Sequence, residues 1–264
     1  MINILYAVLV LGVMGAAFAA LLGVASKVFA VETDPREAAV LECLAGANCG
    51  GCGYPGCSGY AAAVVAGEAP TDKCGPGGAE AAAKIAAVMG VDAGSSEKMI
   101  AFVPCSGSSE NAALKFDYTG PKTCQAAMGY GGKGTKVCSF SCIGYGDCVN
   151  ACKFGAMRLV DGVAKVDREK CVACMACAEA CPKHIIVKVP YSQTELVSCR
   201  SNDKGRAVTK ACKVGCIGCM KCAKECPAEA ITITNFLANI DPEKCIKCGH
   251  CETVCPRHII KPQK

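Results

Sequence analysis

Cysteine spacing limits this chain more than any other feature. Cys216, Cys219, Cys222 and Cys226 precede Pro227, and Cys245, Cys248, Cys251 and Cys255 precede Pro256. Both runs read C-x2-C-x2-C-x3-C-P. In two-cluster ferredoxins such a run holds a four-iron cluster with three cysteines and lends the fourth to the neighbouring cluster. Applied here, the exchange groups Cys216, Cys219 and Cys222 with Cys255, and Cys245, Cys248 and Cys251 with Cys226. Between the runs, ITITNFLANIDPEK alternates as a short strand and turn.

An earlier pair repeats the plan with a gap. Cys171, Cys174, Cys177 and Cys181 precede Pro182, and their partner run offers Cys142, Cys148 and Cys152, with Tyr145 where a cysteine belongs. By the same exchange Cys152 completes the group of Cys171, Cys174 and Cys177, so the deficit falls on Cys142, Cys148 and Cys181. Outside the regular runs lie Cys105, Cys124, Cys138, Cys199 and Cys212. One of these repairs the deficit and four remain, the ligand count of one further cluster. Cys138, nearest in sequence, is the expected repair, which leaves Cys105, Cys124, Cys199 and Cys212 for the additional site. The matched x3 pairs Cys138/Cys142 and Cys212/Cys216 leave another allocation open, and Cys105 and Cys124 admit a plainer role as core thiols.

A further module precedes these. Cys49, Cys52, Cys57 and Cys74 give C-x2-C-x4-C-x16-C among Gly50, Gly51, Gly53 and Gly56, which let the backbone curl around a compact centre. Ser58 to Gly67 fits a short helix that returns the chain to Cys74. Structural zinc is the alternative for four cysteines, but the x4 spacing and glycine density suit a cubane loop better. Tyr54 and Tyr60 read as packing shields, and Cys43 as an ordinary buried thiol. The expectation is six 4Fe-4S clusters on 24 of the 25 cysteines.

Such cysteine density would suit a disulfide scaffold in a short secreted protein, but the repeated short spacings and the odd count favour metal ligation in a reducing compartment. The formal charge of +5 counts cysteines as neutral thiols. Six oxidised cubanes on thiolates, at about −2 each, would bring the total to about −7. The basic residues are therefore poor evidence for nucleic-acid binding. Lys133, Lys136 and Lys153, or Lys221, Lys224, Lys244 and Lys247, are candidate patches for an acidic redox partner, or else solubilise anionic clusters. His184, His250 and His258 follow no zinc-finger pattern.

At the amino terminus no charged side chain occurs between Met1 and Lys27. Ile4 to Ser26 would span about 34 Å as a helix, enough for a hydrocarbon layer. Gly12, Gly15, Ala16, Ala17, Ala19 and Ala20 would let a partner helix approach closely. A signal peptide is the alternative: FA-V at 29–31 resembles a cleavage site, but no basic n-region precedes the apolar run. Lys27 and Arg36, just after the span, and the reducing compartment that clusters need favour the cytoplasmic side of the cytoplasmic membrane for the following domains. The anchor carries no carboxylate for an ion path, and no glycine-rich dinucleotide loop follows a strand; GYGGKG at 129–134 reads as a turn.

Over essentially its whole length the chain resembles the B subunits of the Rnf complex. The resemblance rests on the anchor running into ASKVFAVETDP, the NCGGCGYPGCSGYA loop, PCSG at 104–107, FDYTG at 116–120 with Cys124, GYGDC, and the tandem ferredoxin runs. It implies a subunit of a membrane ferredoxin:NAD oxidoreductase that translocates ions, taking electrons from soluble ferredoxin and relaying them toward membrane partners that carry the flavins and the NAD site. The expected architecture is α+β: a single transmembrane anchor (1–28), a 4Fe-4S module (33–95), a cysteine-rich segment with the first two-cluster ferredoxin-like pair (100–198), and a second pair (199–264). An iron–sulfur subunit of another redox complex, or a structural scaffold with inert clusters, are the rival readings.

Overall fold

The computed structural model describes residues 2–28, 34–94, 97–130 and 132–262. The FA-V segment therefore lies outside the described residues. Helix α1 (Ile2–Val28) is apolar on every side. Its large side chains, such as Leu9, Leu11, Phe18, Leu21 and Leu22, are exposed, and Val8–Lys27 averages a mean hydropathy of 2.5. By length and composition it is the one helix among the described residues able to cross a membrane.

Helix α2 (Pro35–Cys43) starts where Pro35 sets the first helical φ and the Asp34 carboxylate accepts the Arg36 N–H at 2.8 Å. It packs with α3 (Cys57–Val65) and α4 (Gly78–Met89) around Val40, Tyr60, Val64 and Ile85. Tyr60 is fully buried, and burial pushes its phenol up to about 12. Its hydroxyl donates to the Pro70 carbonyl at 2.7 Å and accepts the Lys73 N–H at 3.1 Å, so the expected shield also ties down the return loop that delivers Cys74.

The rest is built from short elements around cysteine loops. Strand β1 (Met99–Phe102) leads through a long irregular stretch to α5 (Cys124–Gly129). The first ferredoxin-like unit follows: α6 (Asp147–Asn150), the hairpin of β2 (Met157–Val160) and β3 (Val163–Val166), α7 (Ala176–Glu179), and β4 (Val187–Pro190), which pairs antiparallel with β1. The second unit has β5 (Glu195–Val197), α8 (Gly205–Ala211), α9 (Lys221–Lys224), the hairpin of β6 (Ile231–Thr234) and β7 (Leu237–Ile240), α10 (His250–Val254), and β8 (Ile260–Pro262) paired antiparallel with β5. Each hairpin turns on two residues of positive φ, Asp161–Gly162 and Asn235–Phe236, as two-residue connections require. Cysteines share the cores with Ile100, Val163, Ile185 and Ile186 in the first unit and Ile231, Ile259 and Ile260 in the second. Removing the cofactor side of such small cores would leave little apolar surface to hold them.

Candidate iron–sulfur sites

Five hollows of 320–410 Å³ are each lined by four cysteines. One holds Cys49, Cys52, Cys57 and Cys74, where Cys57 opens α3 and its N–H is bonded by the Asn48 side chain at 2.8 Å. Two others hold Cys216, Cys219, Cys222 and Cys255, and Cys226, Cys245, Cys248 and Cys251, the exchanged sets of the second pair. In the first pair Cys152 is grouped with Cys171, Cys174 and Cys177: burial, then these three neighbours, raises the Cys177 thiol to about 11.

The remaining two hollows divide the spare cysteines differently from the expectation. Cys142, Cys148 and Cys181 are joined by Cys124, at the start of α5. Cys138 instead lines the hollow of Cys105, Cys199 and Cys212. The physical reason is local. The Asp147 carboxylate, next to Cys148, accepts the N–H of Cys124 at 2.9 Å and of Gln125 at 3.0 Å, clamping the first turn of α5 onto the cluster loop. Thr123 caps the same turn through the Ala126 N–H at 3.1 Å. Tyr145 packs with Cys124, Ala127, Ile143 and Tyr118, its ring 5.7 Å from that of Tyr118. It covers the segment that substitutes for the missing cysteine.

Cys138 and Cys212 are equivalent positions of the two units, and both face one hollow. So do Cys105 and Cys199, each following a strand at the edge of its unit, β1 or β5. The equivalence extends to hydrogen bonds: the Cys142 N–H donates to Cys105 Sγ and the Cys216 N–H to Cys199 Sγ, both at 3.4 Å. Cys43 faces none of the five hollows and bonds the Ala39 carbonyl.

Neighbouring sites abut one another in series. A Cβ on Gly51 would lie 2.7 Å from Cys174 Cα, and one on Gly75 2.3 Å from the Val172 carbonyl, so only glycines let the first module meet the Cys171–Cys177 loop. Next come the Cys124/Cys142/Cys148/Cys181 site, which shares the first ferredoxin-like unit, the Cys105/Cys138/Cys199/Cys212 site, and then the two sites of the second unit.

The hollows fit clusters better than single ions. Among the described residues no three His, Cys, Asp or Glu side chains converge closely enough for one metal ion, whereas structural zinc gathers its four ligands at about 2.0–2.3 Å. A cubane presents four separate iron corners, and four cysteines ringing a hollow match that. Burial first, then crowding by other thiols, raises Cys148 to about 12 and Cys222 to about 11; burial, then the Glu195 carboxylate, raises Cys251 to about 11. Burial chiefly raises Cys142 and Cys199 to about 11 as well. Thiols of this kind ionise only when iron supplies the compensating positive charge, so cluster binding releases protons.

The basic candidates separate cleanly. Lys133, Lys153, Lys221, Lys224, Lys244 and Lys247 are exposed. Lys136 is only 4 % exposed and is no part of a docking surface, contrary to its place in the candidate patch. Its ammonium donates inward to the carbonyls of Gly107 (2.8 Å) and Gly162 (2.9 Å). No sequence signal marked it apart from its neighbours. His250 sits at the surface within 3.6 Å of Glu225.

Sequence comparison agrees with this layout. The family described as "Putative Fe-S cluster" matches residues 44–76, and "4Fe-4S dicluster domain" families match 141–186 and 215–259. Fold and sites thus define a ferredoxin-type iron–sulfur protein with an apolar amino-terminal helix. Over 97 % of its length the chain is 47 % identical to the B subunit of the Na(+)-translocating ferredoxin:NAD(+) oxidoreductase complex of Acetobacterium woodii, covering 77 % of that protein. It is 42 % identical to the B subunit of the ion-translocating oxidoreductase complex of Methanosarcina acetivorans, over 96 % of both chains. A third relative, the B subunit of the proton-translocating ferredoxin:NAD(+) oxidoreductase complex of Clostridium ljungdahlii, is 39 % identical over 98 % of this chain and 92 % of its own. The chain belongs to the family of B subunits of Rnf-type ion-translocating oxidoreductase complexes. It is accordingly an iron–sulfur electron-transfer protein that works with other subunits of such a complex.

Proposed function

We propose that the chain relays electrons from reduced soluble ferredoxin toward membrane flavin and NAD subunits through six 4Fe-4S clusters held by 24 cysteines. The sets are Cys49/52/57/74, Cys152/171/174/177, Cys124/142/148/181, Cys105/138/199/212, Cys216/219/222/255 and Cys226/245/248/251. The carrying observation is their contiguity: six cysteine sets follow one another from the second ferredoxin-like unit to the module that follows α1. The clusters supply one-electron carriage with little rearrangement; the protein fixes their spacing, excludes water and sets their electrostatic surroundings.

Entry at the second unit is supported by its surface. Cys219 and Cys248 are exposed, Met220 and Ile246 present apolar side chains beside them, and Lys221, Lys224, Lys244 and Lys247 are exposed nearby. An apolar centre with a basic rim suits an acidic carrier that docks briefly. At the opposite end α1 would hold the first module, residues 33–95, at the cytoplasmic face of the membrane.

The test is rapid mixing of the full chain with reduced ferredoxin, with a Cys212→Ser variant in parallel. The parent should contain about 24 irons and reduce throughout. The variant should accept electrons in the second unit while the first module lags. Iron near about 16 per chain, or equally fast reduction of every cluster in the variant, would overturn the reading.

A further inference from the structure

Among the described residues, Lys136 is a buried cation paired with no carboxylate. The ion pairs there use Asp34, Glu80, Asp167, Glu169 and Glu225, each with another partner. Two carbonyls satisfy its hydrogen bonds but leave its charge uncompensated, and burying a charge without a counter-charge is costly. Something negative must sit nearby. Gly107, one of its two acceptors, lines the hollow of Cys105, Cys138, Cys199 and Cys212.

Other cations approach its cysteines, Lys183 and Arg257 from the linings of the hollows on either side. Lys183 and Arg257 stand at equivalent positions, each two residues beyond the fourth cysteine of its run. Lys183 donates to the Ser139 carbonyl, beside Cys138, and the Arg257 guanidinium donates to the Cys212 carbonyl at 2.7 Å and to Gly215 at 3.3 Å. Lys165 Nζ lies 3.4 Å from the Cys105 carbonyl, and Arg200 lines the hollow itself. A carboxylate, Asp203, opposes them at Cys138. The hollow at the far end of the second unit has the opposite setting: the buried carboxyl of Glu195 faces Cys251.

We propose that Lys136, with Lys183 and Arg257, makes the cluster between the two ferredoxin-like units the most readily reduced site in this stretch of the relay. The added electron makes the site more negative by one charge, and a nearby cation favours that state. The electron comes from the low-potential donor, ferredoxin or a chemical reductant. An electron crossing from one unit to the other therefore rests in the middle, on neither unit alone. Lys136 is a positioning residue here, acting through its charge. The inference rests on the six-cluster reading above.

The experiment is an EPR-monitored redox titration of the full iron-loaded chain. Cys212→Ser first identifies the component belonging to this site; if it removes no component, the cluster assignment fails and not merely the role of the lysine. In Lys136→Met the midpoint of that component should move to more negative potential at unchanged iron content, and Lys136→Arg should return it toward the parent. An unmoved midpoint at full iron overturns the proposal, as does a midpoint in Lys136→Arg displaced as far as in Lys136→Met. If Lys136→Met loses iron, Arg257→Gln decides: a negative shift of the same component supports the proposal, and unmoved midpoints overturn it.

Discussion

The two ferredoxin-like units repeat one plan of cysteine runs, helices and hairpin and differ at one cysteine loop in particular. Where the second has Cys219, the first has Tyr145, and where the second has Lys221, the first has Asp147. Both hollows of the second unit are lined by cysteines of its own two runs. The first imports Cys124 from outside, and Asp147 is the residue that docks the imported segment. The position without a cysteine and the carboxylate clamp lie two residues apart in the same loop. Cys138 lines the other hollow for a related reason: it is the equivalent of Cys212, and the two like positions face each other across the hollow between the units.

The largest effect that would break this comparison comes from single cysteines. Cys124→Ser should lose or convert the Cys142/Cys148/Cys181 cluster, with iron falling by up to about four per chain. Cys138→Ser should spare that cluster and affect the one between the units. If the two variants show each other's phenotype by iron count and EPR, the assignment is reversed. A sharper form restores the symmetry: Cys124→Ser combined with Tyr145→Cys should recover the cluster, because residue 145 then matches Cys219. Failure of the double variant to regain iron would show that the first loop no longer follows the path of the second.

Removing the clamp should act more weakly. Asp147→Asn keeps the shape and discards the charge, costing about 1–2 kcal/mol from two charge-assisted hydrogen bonds at a partly exposed position. The expected readout is faster loss of one cluster to an iron chelator with the other clusters unaffected. Uniform loss would point to a general folding defect. Smallest of these is Glu195→Gln, which should raise the midpoint of the Cys226/Cys245/Cys248/Cys251 cluster, opposite in sign to Lys136→Met. An unmoved midpoint, or a shift to more negative potential, would show that the Glu195 charge does not set the potential of that site.

Much of this was legible in the cysteines, because a cubane loop writes its ligands at fixed local intervals. The exchanged sets, the first module and the apolar helix all follow from short-range spacing. Cys124 did not, since it reaches its hollow through a tertiary contact made by Asp147, and proximity along the chain favoured Cys138. The matched x3 spacings of Cys138 and Cys212 held the usable signal, read as symmetry and not as distance. Lys136 was illegible for a related reason: a lysine two residues before a ligand reads as surface until the fold turns it toward two carbonyls.

The close approach at Gly51 and Gly75 has a kinetic consequence. Electron tunnelling falls off exponentially with the gap crossed, so a relay runs no faster than its widest interval. Gly51→Ala should appear as slower equilibration between the first module and the rest, at unchanged midpoints and iron content. Two hydrogen atoms in place of methyl groups keep that interval narrow, and in this sense the absence of side chains sets the conductance of the whole line.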